Sequence, residues 1–258
     1  MTNLGGIMAF LQNLLNKINL ISKKQPTTNH GKLYDGNLTV NSYPNIIPKP
    51  ENPPAAQPII PMDELVIKII NVINDSKYPW NPNVKWGNRP KEKIEMISVH
   101  QAAGDSKVSG HNQYHITPTS DRNKDGKIDE WERNHLAASG APHLCYHYVI
   151  CHDKDDYPDG TIIQVNPITN VTWAVKGYNT KAVNILVNGN FRGNGWEKQG
   201  THDPTVKQIK SLKLLLDKLT NDLRISKTKI FGHCELANYK PACPGYKVME
   251  FINSYRNT

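Results

Sequence analysis

The densest patch of ligand chemistry in the chain is the stretch DRNKDGKIDEWE, residues 121–132. Asp121, Asn123, Asp125, Asp129 and Glu132 place side-chain oxygens at positions 1, 3, 5, 9 and 12 of a twelve-residue loop. Lys127 would add its backbone carbonyl, and Gly126 stands where such a loop must turn sharply. That alternation is the EF-hand pattern, because a hard cation such as Ca2+ needs six to eight oxygens wrapped around it. A single loop with no second copy predicts a structural calcium rather than a sensor. In that role calcium would fix an insertion and start a helix from Asp129 to Ala138.

Softer donors lie elsewhere. His100 closes the run IEMISVH, His233 follows IFG, and Cys243 comes ten residues later. Imidazole nitrogen and thiolate sulfur suit Zn2+, whose catalytic sites use three protein ligands and keep one position open. With ten histidines in the chain, spacing alone does not single out these three. Cys145 and Cys151 fall on one strand-like run, too awkwardly placed to bridge each other, and read as core residues. Cys234 reads as a small buried hydrophobe. Strand alternation sets Tyr146 and Tyr148 on one face and His147 on the other, so His147 reads as structural. His111, His115, His143 and His152 read as surface or hydrogen-bonded loop residues. Trp80, Trp86, Trp173, Tyr178 and Trp196 fit either a core or a sugar-binding groove.

The elements that must position these groups follow from hydrophobic periodicity. The runs IEMISVH, YHYVICH, GTIIQV, AVNILVNG and TKIFGH are short, apolar and bounded by Gly, Pro, Asn or Asp, as strands are. MDELVIKIINVIND predicts a helix with two acidic residues in its first turn. A second helix opens at Asp203-Pro204, with Pro204 at its first position and Val206, Ile209, Leu212, Leu216, Leu219 and Leu223 facing inward. Strands alternating with helices predict an α/β domain, residues 62–258, with an insertion near 105–140. Ahead of it, residues 25–61 form a Pro-rich linker, with seven prolines between Pro44 and Pro61. Residues 1–24 hold an amphipathic helix whose apolar face runs from Ile7 to Ile21. That helix fits packing on a partner, and its polar face lacks the Lys and Arg of a membrane-surface helix.

The chain has 258 residues, 31 Lys and Arg against 23 Asp and Glu, and a formal net charge of +8. An anionic partner or substrate suits that balance. No nucleic-acid motif accompanies it, so nucleic acid is not expected. Four cysteines are no disulfide scaffold, no apolar run is long enough to span a bilayer, and no secretory leader is expected.

The order VHQ, CYHYVI, DGTIIQV, NILVNGNF and FGHCELANYKPACPG resembles the zinc amidases of peptidoglycan. These are the N-acetylmuramoyl-L-alanine amidases related to phage lysozyme-type amidases and peptidoglycan recognition proteins. The resemblance spans residues 100–255, with the acidic loop as an interruption that the common pattern lacks. It implies a mixed central β-sheet flanked by helices. It further implies zinc held by His100, His233 and Cys243, a catalytic tyrosine at Tyr146, and bacterial peptidoglycan as substrate. The family's lysine before the third ligand corresponds to Lys240, one step early because Pro241 takes the usual place. Leu186 occupies the position of a glutamate found in another branch. The activity implied is hydrolysis of the amide between N-acetylmuramic acid and L-alanine. An endolysin held in the host cytoplasm until release fits the absent leader. The alternatives are a non-catalytic peptidoglycan-binding module and a virion structural protein with a calcium-stabilised amidase-like fold.

Overall fold

The computed structural model describes residues 67–193, 200–237, 240 and 242–258. The N-terminal helix, the Pro-rich linker, Trp196 and Pro241 lie outside the described residues.

Six strands form one mixed sheet: β1 (Ile69–Asn71), β3 (Met96–Gln101), β4 (Tyr148–Ile150), β5 (Ile162–Gln164), β7 (Ala182–Val187) and β8 (Ile230–Gly232). Their order is β1-β5-β4-β7-β3-β8, and only the β4–β5 pair is antiparallel. A separate two-stranded ribbon pairs β2 (Gly87–Asn88) with β6 (Asn170–Val171). The helices are α1 (Val108–Ile116), α2 (Val206–Leu223), the single turn α3 (His233–Leu236) and α4 (Tyr246–Arg256). The chain is therefore α/β, a mixed central sheet flanked by helices.

The two-residue period of the central strands sorts chemistry onto two faces. Ile97 and Val99 of β3 join Val183, Ile185 and Val187 of β7 in the larger core cluster, which α2 and α4 cover with Leu212, Leu216, Val248 and Ile252. Each such side chain contributes roughly 1.5–3 kcal/mol when fully buried. The alternate residues Ser98 and His100 of β3, and Asn184 and Leu186 of β7, turn to the opposite face and are themselves buried. A polar triplet on the back of an apolar sheet is costly unless it is paired, and that face carries the site.

α2 starts at Val206 rather than at Pro204. Thr205 is its N-cap: the Thr205 Oγ1 accepts from Gln208 N at 3.0 Å and Gln208 Oε1 accepts from Thr205 N at 3.1 Å, a reciprocal capping box. Val206 is consequently 73% exposed, and Leu215 takes the inward place expected for it.

Three other expectations are corrected. The described part of MDELVIKIINVIND, from Ile67 on, is not helical: Ile69–Asn71 is a strand parallel to β5. Its β-branched residues favour a pleated edge, and Asn71 Oδ1 accepts from Ile73 N at 3.0 Å to end it. The helix over Asp129 to Ala138 shrinks to one 3-10 turn, Glu130–Glu132. Asn134 ends it, donating to the carbonyls of Tyr114, His115 and Thr117 and accepting from Leu136 N and Ala137 N. Finally, Tyr146 and Tyr148 do not share a face. Tyr148 lies in the helix-covered cluster and Tyr146 against the other one. Strand β4 begins only at Tyr148, because Asn166 Nδ2 donates to the carbonyls of Leu144 and Tyr146 and bends the chain ahead of it.

Candidate metal centre and cleft

His100 sits near the end of central strand β3 and is 1% exposed. β8 runs parallel beside it, so the residue that follows β8, His233, emerges at the same end of the sheet. Gly232 lets this happen, since a Cβ there would collide with Met249 Sδ of α4 and stand 2.7 Å from Pro244 Cδ. At Gly245 a left-handed φ of 96° turns the chain out of the ACPG segment into α4. The pieces are then locked. Glu235 Oε2 accepts from Gly232 N at 2.8 Å, and Arg256 at the end of α4 binds both Glu235 and the Ile230 carbonyl.

The result brings His100, His233 and Cys243 together, their ligand atoms all within 4.8 Å of one another. The two imidazoles meet Nδ1 to Nδ1 at 3.1 Å. Gln101 N donates to Cys243 Sγ at 3.4 Å, while Gln101 Nε2 donates to Ala242 O at 2.7 Å, so one residue steadies the turn twice. On the far side of His100, Nε2 lies 3.0 Å from Ser98 Oγ and 3.4 Å from Asn184 Oδ1. Burial drives the His100 imidazole well below its ordinary pKa, and burial followed by the nearby Lys240 charge takes His233 to about 4. Burial pushes the Cys243 thiol up to about 12, against the opposing pull of the Gln101 N–H. Two neutral imidazoles and one sulfur in a half-closed pocket are the donor set a zinc ion takes.

His233 and Cys243, with Gln101 and Ala242, line a cleft of about 1040 Å³, and His100 lies buried behind them. One wall is α1 with the His135–Leu136 arm of the acidic-loop segment, and the other is the loop that carries Trp173 and Lys176. Tyr146 faces into it, its ring 5.1 Å from that of His100, and burial raises its phenol pKa so that the hydroxyl stays protonated. Lys240 lines the mouth and is exposed. Among the described lining residues there is no Asp or Glu. Leu186 pairs in register with His100 but is fully buried in the sheet and offers no ionisable group.

His147 is not at this centre. It is fully buried, accepts from Asn184 N at Nδ1 (2.9 Å) and presents Nε2 to Asn170 O (3.0 Å), so both ring nitrogens are engaged. His115, His143 and His152 are buried and hydrogen-bonded: His115 Nδ1 accepts from Cys145 N at 3.1 Å, His143 Nε2 meets Tyr78 O at 3.0 Å, and His152 Nδ1 accepts from Lys154 N at 2.8 Å. Trp173 lines the cleft, and Trp86 packs edge-on against it at 5.3 Å. Trp80 instead stacks on His143 at 4.4 Å. Cys145 and Cys151 are buried, unbridged thiols.

The structure lends the calcium reading of the acidic loop no support. Among the described residues, His100, His233 and Cys243 are the group of three or more His, Cys, Asp or Glu whose ligand atoms lie close enough to share an ion; the loop carboxylates are not so gathered. Its oxygens accept from its own backbone. Asp121 accepts from Asp125 N and Gly126 N, and Asp125 accepts from Lys127 N. Asn123 Oδ1 takes Asp125 N, and Asp129 forms a capping box with Glu132. Buried Glu132 spends Oε1 on Arg122 N and Asn123 N and Oε2 on Asp129 N.

Sequence reasoning missed Asn184, Gln101 and Asn166, the residues that hold the site from behind. A polar side chain in the middle of the apolar run AVNILV was the available signal for Asn184.

The family model described as N-acetylmuramoyl-L-alanine amidase matches residues 90–246, more than half of the chain. The chain belongs to that family. A search of curated proteins finds no match to this amidase-family chain. Among solved structures it is similar to the N-acetylmuramoyl-L-alanine amidase LysC from Clostridium intestinale URNW, at 21% identity and TM-score 0.49, covering 74% of this chain and 98% of that one. It is similar also to the Ph2119 endolysin from Thermus scotoductus MAT2119 bacteriophage Ph2119, at 20% identity and TM-score 0.46, covering 73% and 99%. The Drosophila PGRP-LB wild-type structure is 15% identical at TM-score 0.49, with 72% and 93% covered. Within the described residues of this amidase-family chain, no helix is long and apolar enough to cross a membrane.

Proposed function

We propose that this protein is a peptidoglycan hydrolase that cleaves the amide between N-acetylmuramic acid and L-alanine, with His100, His233 and Cys243 as ligands of a catalytic zinc. The observation that carries the reading is the convergence of two imidazoles and a sulfur within 4.8 Å, with His233 and Cys243 lining an open cleft, in a family that is generally zinc-dependent. Bound there, zinc supplies Lewis acidity to the scissile carbonyl and lowers the pKa of a water it holds.

The remaining work falls to the protein. Tyr146 keeps its proton under burial and can donate a hydrogen bond to the oxyanion that forms as the amide carbon becomes tetrahedral. Lys240, cationic and at the cleft mouth, can hand a proton to the departing amine. Trp173 offers an apolar surface to a sugar ring or peptide. A wall with Lys176 and Lys240 and no carboxylate among its described residues suits the anionic stem peptide, as does the net charge of +8.

Mass spectrometry of purified peptidoglycan, digested with and without a zinc-selective chelator, tests this reading. Release of free stem peptides beginning with L-alanine, lost on chelation, is the expected result. A protein that binds wall fragments and releases no peptide is a recognition module, and the proposal then falls. Tyr146→Phe should keep stoichiometric zinc and lose about 10²–10³-fold in kcat, the usual cost of one oxyanion donor. A variant with full kcat removes Tyr146 from the reaction.

A further inference from the structure

We propose that Asn184 is a positioning residue that selects the metal-ligating tautomer of His100. The inference rests on the reading of His100, His233 and Cys243 as the metal ligands. An imidazole can give a metal its Nδ1 lone pair only if its proton sits on Nε2, and the atom that accepts that proton decides the matter.

Two oxygens stand by His100 Nε2: Ser98 Oγ at 3.0 Å and Asn184 Oδ1 at 3.4 Å. They are not equivalent. A serine hydroxyl can either donate or accept, so Ser98 alone would tolerate both tautomers. A carboxamide oxygen only accepts, and that of Asn184 is kept toward His100 because its Nδ2 donates to Thr172 Oγ1 at 2.9 Å. The backbone behind it is fixed as well. Asn184 N donates to His147 Nδ1 at 2.9 Å, and Asn184 O accepts from His147 N at 2.9 Å. Asn184, Ser98, Thr172 and His147 are all fully buried, so water does not compete for these bonds. Remove the Asn184 oxygen and Ser98 can turn its proton toward Nε2. The imidazole proton then moves to Nδ1, the atom that faces His233 and the ligand cluster.

The test uses the full chain, stripped of metal, as wild type, Asn184→Leu, Asn184→Asp and Ser98→Ala. Long-range 1H–15N correlation of the histidine rings reads the tautomer before any metal is added. Competition with a chromogenic chelator then reads zinc affinity. Wild type and Ser98→Ala should show His100 protonated at Nε2. Asn184→Leu should show it at Nδ1 and bind zinc about 10–100-fold more weakly, the range for loss of a group behind a metal-ligating histidine. Asn184→Asp keeps an accepting oxygen and should keep both the Nε2 tautomer and the affinity; a merely space-filling role would leave the tautomer unmoved in Asn184→Leu as well. Wild-type His100 protonated at Nδ1 overturns the inference even if the leucine variant does not fold, and so does Asn184→Leu with wild-type affinity. A wild type with His100 protonated at Nε2 that nevertheless fails to bind zinc strikes the metal reading, separately from the tautomer.

Discussion

Cys243→Ser and His233→Ala should each lose the proposed peptidoglycan hydrolysis by more than about 10³-fold, beyond the cost of one missing transition-state donor. Both should stay folded by circular dichroism. The expectation follows from where the three donors lie. No other His, Cys, Asp or Glu among the described residues joins the group within 4.8 Å, so none is at hand to replace a lost ligand. Cys243 hangs on a turn that Gln101 fastens through Ala242 O and through Sγ, and serine keeps that turn while exchanging sulfur for a hard, weakly acidic oxygen. His233 opens α3 beside Gly232, and the surrounding lock of Glu235, Arg256 and the Ile230 carbonyl does not pass through its ring. Bound zinc, measured by elemental analysis, should fall in parallel with the rate. Either variant with rates within tenfold of wild type contradicts the assignment of its residue.

The second large effect is acid sensitivity. Three histidines are buried in neutral form: His147 and His115 with pKa lowered to about 3, and His143 to about 4. In each case burial is the leading cause; the His135 charge adds to it at His115. A histidine in the unfolded chain titrates near 6.5, so between that value and the folded pKa the unfolded state binds more protons. Stability is therefore full above about pH 6.5 and is lost as pH falls toward 4 and then 3. The geometry gives the reason at His147, whose Nδ1 is already an acceptor for Asn184 N and has no room for a second proton. Melting temperature should drop by at least about 10 °C between pH 7 and pH 4.5, at roughly 2–4 °C per kcal/mol for a chain of this size. A flat melting profile over that range would show that these rings are not buried neutral.

Much of this was legible in the residues. Runs such as IEMISVH and AVNILVNG declared themselves as strands because they are short, apolar and bounded by turn residues, and β3 and β7 prove to be buried throughout. The motif FGHCELANYKPACPG carried the family resemblance that implied His233 and Cys243 as partners, and the structure sets their ligand atoms within 4.8 Å of each other. What escaped was decided by single polar side chains. Asn134 ended a helix that the acidic loop announced, Asn166 bent the chain before β4, and Thr205 moved the start of α2. Such grips depend on which distant carbonyl or N–H comes within reach, and nothing periodic in the sequence records that.

The position of β8 has a further consequence. It is the outermost strand on its side of the sheet, joined to β3 alone over three residues, and with α3 and α4 it delivers two of the three donors. His100, by contrast, lies on β3, which is paired on both sides, with β7 over six residues. An ion shared between them would act as a rivet between a peripheral flap and the body of the domain. Occupancy would then be written in how readily the amides of 230–256 exchange with solvent, leaving β4, β5 and β7 as an internal reference.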